Sequence, residues 1–132
     1  MNELHPQPLG ARHELSLEAR RTLPFMRFPQ ALKGLMLERN LSYRQMAYKT
    51  QLSAGYLNHL TQGTRPVPAD PVVRTIAKAL HVEADFFLDF RLRRVVSRLE
   101  ESTRLTDALY AILLLRMPVS EDMKRVLEKL DD

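Results

Sequence analysis

Residues 40–63 read NLSYRQMAYKTQLSAGYLNHLTQG and contain two short segments with helical patterning. Ser42 and Ser53 each precede a segment with helical spacing of apolar residues, and serine is a preferred N-cap because its side-chain oxygen accepts from a free backbone N–H. The spacing predicts helices over 43–50 and 54–61. Only Gln51 and Leu52 lie between the end of the first helix and Ser53, the cap of the second.

The turn and the apolar residues around it predict how the two helices pack. Ala47 is small at the point where the helices must approach closely, while Leu52 in the turn and Leu57 in the second helix hold the pair together. Two short helices joined in this way form a helix-turn-helix. In such a motif the second helix can present its outward, N-terminal residues to a major groove.

The surrounding sequence predicts an all-α domain. No alternation of apolar and polar residues persists long enough to indicate a strand, whereas three-and-four spacing recurs throughout the region. A first helix is expected from Pro29 to about Asn40, where asparagine tolerates the left-handed conformation that ends many helices. A fourth helix is expected over 71–80, and a fifth from about Ala84, with apolar faces at Val73, Ile76, Ala77, Leu80, Phe86, Phe87 and Phe90.

These residues resemble the helix-turn-helix regulators of the phage Cro/repressor and xenobiotic-response-element class. The resemblance covers residues 30 to about 90 and implies a five-helix DNA-binding domain, usually dimeric on a two-fold-related operator. It is carried by LKGL at 32–35, NLSYRQMA at 40–47, LSAGYL at 52–57, LTQG at 60–63 and IAKAL at 76–80.

The chain departs from the pattern of this class at three places. The class usually has glycine in the turn, where this chain has Gln51. Many members pair an arginine in the first helix with a glutamate before the Gln-Gly pair, where this chain has Met36 and Thr61. Gly55 lies within the second helix and costs about 1 kcal/mol relative to alanine, but it permits close approach to a backbone or a base edge.

The resemblance also implies which residues touch DNA. Base-reading candidates are those near the start of the second helix, and phosphate candidates begin the preceding helix or follow Gly63; Lys33, Arg39 and Lys49 are weaker candidates. For any surface cation the alternative is ordinary solvation, and for Tyr56 it is a place in the core. The expected DNA-binding set is Tyr43, Arg44, Gln45, Ser53, Ala54, Gly55, Tyr56, Asn58, His59, Thr64 and Arg65.

The segments on either side predict a three-part organisation. Residues 1–29 form a leader in which Ser16 can cap a short helix with Leu15, Leu17 and Leu23 as its apolar residues, and docking and disorder both remain open. Residues 91–132 predict amphipathic helices that need a partner to cover their apolar faces. A second copy is favoured over an intramolecular cover, through Val95, Leu99, Leu105, Leu109, Ile112, Leu113, Met123, Val126, Leu127 and Leu130.

Composition supports a polyanion as partner and excludes several kinds of chemistry. Residues 31–66 carry five Lys and Arg against one Glu, a net +4 that equals the charge of the whole chain. The chain has no cysteine, so disulfides and thiolate chemistry are excluded. Asp85 and Asp89 have no metal-ligand or catalytic partners at suitable spacing and are expected to be solvated carboxylates.

The sequence therefore predicts a non-enzymatic, cytoplasmic transcriptional regulator that binds double-stranded DNA as a homodimer. No cofactor, metal, small-molecule ligand or membrane is expected, and no signal peptide is recognised. Two alternatives remain: an architectural, low-specificity DNA-bridging protein, and a protein-interaction module that has lost DNA binding.

Overall fold

The computed structural model describes residues 14–129, and within them all regular structure is helical. The chain divides into two compact units, a head unit up to Arg91 and a tail unit from Leu92. The division into leader, DNA-binding domain and dimerisation region stays a prediction. The α-helices are α1 Leu17–Thr22, α2 Phe28–Arg39, α3 Tyr43–Thr50, α4 Ala54–Gln62, α5 Asp70–Ala79, α6 Leu88–Glu101, α7 Thr103–Leu113 and α8 Glu121–Glu128, with single 3-10 turns at Leu23–Phe25 and Ala84–Phe86.

The two helices predicted from residues 40–63 are confirmed, together with their caps. The Ser42 hydroxyl accepts from the N–H of Gln45 at 3.1 Å, and the Gln45 side chain accepts from the N–H of Ser42 at 2.8 Å, which makes a reciprocal capping box. Ser53 accepts from the N–H of Tyr56 at 3.0 Å. The residue that ends α2, Asn40, has the predicted left-handed conformation with φ 55°.

The turn between α3 and α4 is held by backbone bonds and one buried hydroxyl. Gln51 adopts φ 64°, the left-handed region that glycine normally fills, and its N–H donates to Ala47 O at 2.8 Å. The Thr50 hydroxyl is buried, donates to Met46 O at 2.7 Å and accepts from the N–H of Leu52 at 3.2 Å. These bonds keep α3 and α4 in a fixed relation without a glycine.

The core of the head unit lies among α2, α3, α4 and α5. Helix α4 packs against both α2 and α3, and its contribution to the core is the pair Leu57 and Leu60, both essentially inaccessible to solvent. The largest fully buried side chains are Phe28, Phe87, Leu32, Leu35, Met46, Leu57, Leu60, Ile76, Leu80 and Val73. This packing leaves the opposite side of α4 outside the core.

The described part of the leader docks on the head unit. Ser16 caps α1 as predicted, and Leu15 and Leu23 join the core cluster. Leu17 is half exposed, so its predicted apolar contact is wrong. A side chain at Gly34 would collide with Leu23, which shows how closely the leader approaches α2; the rest of the leader lies outside the described residues.

The fifth helix begins later than the sequence predicts. Residues Ala84–Phe86 form one 3-10 turn, and α6 starts at Leu88. Phe87 between them is fully buried and its ring lies 4.8 Å from that of Phe28. The aromatic residues were predicted for the core, but two of them, Phe86 and Phe87, precede the helix, since Phe86 lies in the 3-10 turn and Phe87 is extended.

Asp89 corrects the expectation of a solvated carboxylate. It is only 5% exposed, accepts from the N–H of Phe28 at 2.6 Å and pairs with Arg27 at 2.7 Å. Arg27 is the N-cap residue of α2 and makes no side-chain cap bond. Asp89, 61 residues away, therefore supplies the acceptor and the negative charge that the first turn of α2 lacks.

The tail unit is helical but has little interior of its own. Ser102 and Ser120 cap α7 and α8 as predicted, and α7 ends at Leu113, ahead of the predicted break at Met117 and Pro118. Among the described residues of this unit only two, Leu105 and Ala108, are buried.

Replacing Gln51 with glycine is expected to stabilise the protein by up to about 1 kcal/mol, because the left-handed conformation then carries no side-chain penalty. Chemical denaturation measures the effect. The matched control is Gln30→Gly within the right-handed helix α2, which is expected to destabilise by roughly 1 kcal/mol. A Gln51→Gly variant as unstable as the control would contradict the account of the turn.

Replacing Asp89 with alanine is expected to destabilise the head unit by about 2 kcal/mol, because the buried N–H of Phe28 loses its charged acceptor. Arg27→Ala is the control: its side chain is 63% exposed, so its loss is expected to cost less than about 1 kcal/mol. Equal losses in the two variants, measured by thermal unfolding, would show that the ion pair matters and the cap does not.

Candidate nucleic-acid interface

The face of α4 that points away from the core carries most of the base-reading candidates. Gly55, Asn58 and His59 are exposed, whereas Ala54 and Tyr56 are half-buried at the edge of this face. Ser53 lies at the start of the helix, with its hydroxyl engaged in the cap. The candidates predicted from the sequence are thus brought together along one side of a single short helix.

This face is open in two respects. Asn58 has a side-chain amide with no hydrogen-bond partner among the described residues, so both its donor and its acceptor are available. A Cβ built on Gly55 would meet nothing within 4 Å. Packing within residues 14–129 therefore does not explain the glycine.

The loop that follows α4 is tied back to the same helix. Gly63 ends α4 with φ 75°, and the Thr64 hydroxyl lies 2.7 Å from Nδ1 of His59. The guanidinium of Arg65 lies 5.6 Å from the ring centre of Tyr56. These contacts place Arg65 and Thr64 beside the outward face of α4. The half-buried ring of Tyr56 packs against the core, in agreement with its alternative interpretation.

The start of α3 supplies a second group of candidates. Arg44 is exposed, and its guanidinium makes no bond with any residue in the described range. Gln45 is also exposed, but its side-chain oxygen is used in the capping box. Since Ser42 caps only the N–H of Gln45, the first N–H groups of the helix still point outward with the positive end of its dipole.

The hydroxyl of the half-buried Tyr43 is engaged by groups from α2 and α4. It lies 2.7 Å from the Thr61 hydroxyl and 3.3 Å from Nζ of Lys33. Burial opposes ionisation of the phenol, but the bonds to Thr61 and Lys33 and the charge of Lys33 outweigh it, so the pKa of Tyr43 is lowered. Thr61 was noted in the sequence only because many members of the class have a glutamate at this position. In the structure, its hydroxyl bonds to that of Tyr43.

The weaker candidates separate into two kinds. Arg39 donates to Leu80 O at 2.9 Å and to Glu14 O at 3.5 Å, and burial lowers its pKa against the opposing effect of Glu38. Arg39 thus joins the leader and α5 to the end of α2. Lys49 is exposed on α3.

The described residues contain no group of three His, Asp or Glu side chains that could hold a metal ion.

The comparison with protein families agrees with this geometry. Residues 28–85 match the family described as a helix-turn-helix domain. The chain therefore contains a helix-turn-helix domain of the kind found in XRE/Cro-like regulators, which indicates DNA binding and transcription regulation. Domains of this family are typically non-enzymatic.

No curated protein and no solved structure matches the chain significantly. Within the described residues, none of the helices combines the length and the apolar character needed to cross a membrane.

Proposed function

We propose that the chain is a cytoplasmic, sequence-specific transcriptional regulator that binds duplex DNA as a homodimer. The observation that carries the proposal is the outward face of α4. Among the described residues, the side-chain amide of Asn58 has no hydrogen-bond partner, and no atom lies within 4 Å of the position that a Cβ at Gly55 would take. If either residue packed in the core or bonded to another part of the protein, that contact would explain it without a ligand.

Sequence is read by the residues near the start of α4. The Asn58 amide can donate and accept at once, which suits the N6 and N7 edge of adenine in the major groove. Ala54 offers a methyl group to thymine, while Gly55 lets the helix backbone approach a base edge or sugar closely. His59 and Tyr56 border this reading surface and connect it to the following loop, through Thr64 and Arg65.

Phosphates are contacted from both sides of α4. On one side, the side chains of Arg44 and Gln45 and the backbone at the start of α3, beginning with the N–H of Tyr43, face the DNA strand. On the other side, Thr64 and Arg65 follow the recognition helix. Ser53 contributes as the N-cap of α4, because its hydroxyl holds the first turn of the recognition helix. Such contacts set orientation and affinity, whereas the base contacts set specificity.

The tail unit is proposed to hold two copies together. Its described residues leave a run of large apolar side chains in solvent, with Leu113, Leu114 and Leu115 each more than half exposed. A cleft of about 270 Å³ in the same unit is lined by two arginines, Arg94 and Arg98, and by the apolar side chains of Val95, Leu99, Leu105, Leu109 and Leu127. Isolated helical units of this size rarely have enough core to be stable, and large exposed apolar patches mark interaction sites.

The proposed interface uses both features of the tail unit. Val95, Leu113 and Leu127 are exposed, Leu99, Leu109, Ile112, Met123 and Val126 are half-buried, and Leu105 is buried; Leu130 lies outside the described residues. Two linked heads raise the overall affinity because the second head binds from a high effective concentration. A dimer therefore compensates for the small number of bases that one short helix can reach.

Two alanine variants test the proposed DNA contacts. Asn58→Ala is expected to weaken binding to a selected duplex by roughly 5- to 150-fold, with little change for competitor DNA. Arg44→Ala is expected to weaken binding to both and to reduce the slope of log K against log salt by about 0.9. Fluorescence anisotropy over a salt series measures both effects.

Arg21→Ala on α1 is the matched control for Arg44, since it removes the same charge from an exposed position outside the proposed set. Wild-type affinity in both Arg44→Ala and Asn58→Ala would contradict the proposed interface. Equal affinity of the unsubstituted chain for every duplex would favour the architectural alternative, and absence of binding at low salt would favour the protein-interaction alternative.

A charge in the exposed apolar run tests the dimer. Leu113→Glu is expected to convert a dimer into a monomer at micromolar concentration without loss of helical content, because a carboxylate would have to be buried in the interface. Leu37→Glu on α2 is the control, as Leu37 is comparably exposed but belongs to the head unit. A monomeric unsubstituted chain in analytical ultracentrifugation would contradict the proposal.

A further inference from the structure

Four polar groups from three helices form a continuous chain of hydrogen bonds in the head unit. Nζ of Lys33 on α2 lies 3.3 Å from the hydroxyl of Tyr43, the first residue of α3. That hydroxyl lies 2.7 Å from the hydroxyl of Thr61 on α4. The Thr61 hydroxyl in turn donates to the backbone carbonyl of Asn58 at 2.9 Å.

The direction of the chain follows from the groups at its ends. The ammonium of Lys33 can only donate and the carbonyl of Asn58 can only accept. Because the Thr61 hydroxyl donates its hydrogen to Asn58 O, the Thr61 oxygen accepts from the hydroxyl of Tyr43. The Tyr43 oxygen accepts in turn from the ammonium of Lys33. Each hydroxyl both accepts and donates, and such chains strengthen their own members by polarisation.

We propose that Tyr43 is a positioning residue that sets sequence discrimination. Its hydroxyl holds α4, through Thr61, in the orientation at which the Asn58 amide meets a base edge. This inference rests on the proposed function of α4 and deepens it. It assigns the phenolic hydroxyl to the alignment of the reading residue and leaves phosphate binding to the backbone of Tyr43 and to Arg44.

The hydrogen bond from Thr61 to the carbonyl of Asn58 connects Tyr43 to the proposed base-reading residue. The chain ends on the main chain of the residue whose side-chain amide is available to DNA, and it enters α4 on the turn between Asn58 and Thr61. Base recognition by an amide needs two aligned hydrogen bonds and tolerates little displacement. Phosphate contacts by flexible arginines tolerate a larger displacement. A small rotation of α4 therefore lowers the preference for the selected duplex before it lowers the affinity for DNA in general.

Removal of the single hydroxyl tests the inference in the full-length protein. Tyr43→Phe keeps the ring, which packs against the core, and is expected to weaken binding to the selected duplex about fivefold, the usual effect of one hydrogen bond. Affinity for competitor DNA and the salt slope are expected to stay unchanged. The matched control is Tyr48→Phe on the same helix, where the side chain is 82% exposed, and no change is expected there.

A second variant reaches the same link from α4. Thr61→Val removes the partner hydroxyl with little change of shape and is expected to cause the same loss of discrimination. The double variant is expected to lose no more than Thr61→Val alone, because Thr61→Val already removes the bond to Tyr43 together with the bond to Asn58. Circular dichroism at the assay temperature confirms that each variant is folded.

Several results would overturn the inference. If Tyr43→Phe lowers the melting temperature and leaves discrimination unchanged, the hydroxyl serves stability alone. If it weakens both duplexes equally and reduces the salt slope by about 0.9, the hydroxyl contacts a phosphate. Strictly additive losses in the double variant would show that the two hydroxyls act separately. Failure of the proposed function itself is distinguishable, because it would be seen in the unsubstituted chain as an absence of discrimination.

Discussion

The burial of Leu57 and Leu60 beneath α4 determines which side of this helix faces solvent. Both side chains are essentially inaccessible to solvent, and α4 packs on α2 and α3 through this side. Burying two leucines stabilises the fold by several kcal/mol relative to leaving them exposed. That gain fixes which side of α4 faces inward, and so decides that Gly55 and Asn58 face outward.

The unit that supports α4 is larger than the part that matches the helix-turn-helix family. Leu15 and Leu23 join its core from before residue 28, and Asp89 caps α2 from beyond residue 85. Arg39 adds bonds to the leader and to the end of α5. The helix-turn-helix is therefore held from both ends by segments outside the matched residues.

Local chemistry predicted much of the fold. The caps at Ser42 and Ser53, the left-handed Asn40 and the buried Leu57 follow from residue type and spacing within a few positions of each residue. Gln51 lies where the resemblance places a glycine, and it adopts the left-handed conformation that glycine favours.

Contacts between distant residues could not be predicted. Asp89 was expected to be solvated because nothing near it in sequence shows that the start of α2 lies beside it. The bond between Tyr43 and Thr61 was missed because each residue has an ordinary local interpretation, as the start of a helix and as a neutral replacement. Only their 2.7 Å approach in the fold joins them.

The most direct test of the account is to map the binding of a selected duplex on the full-length protein by amide chemical shifts. Such a duplex would be selected from random sequences. The account predicts the largest changes at residues 53–59 and at Arg44, with smaller changes in the loop after Gly63. Changes confined to other helices, or no bound duplex at low ionic strength, would contradict the claim that the outward side of α4 is the DNA-reading surface.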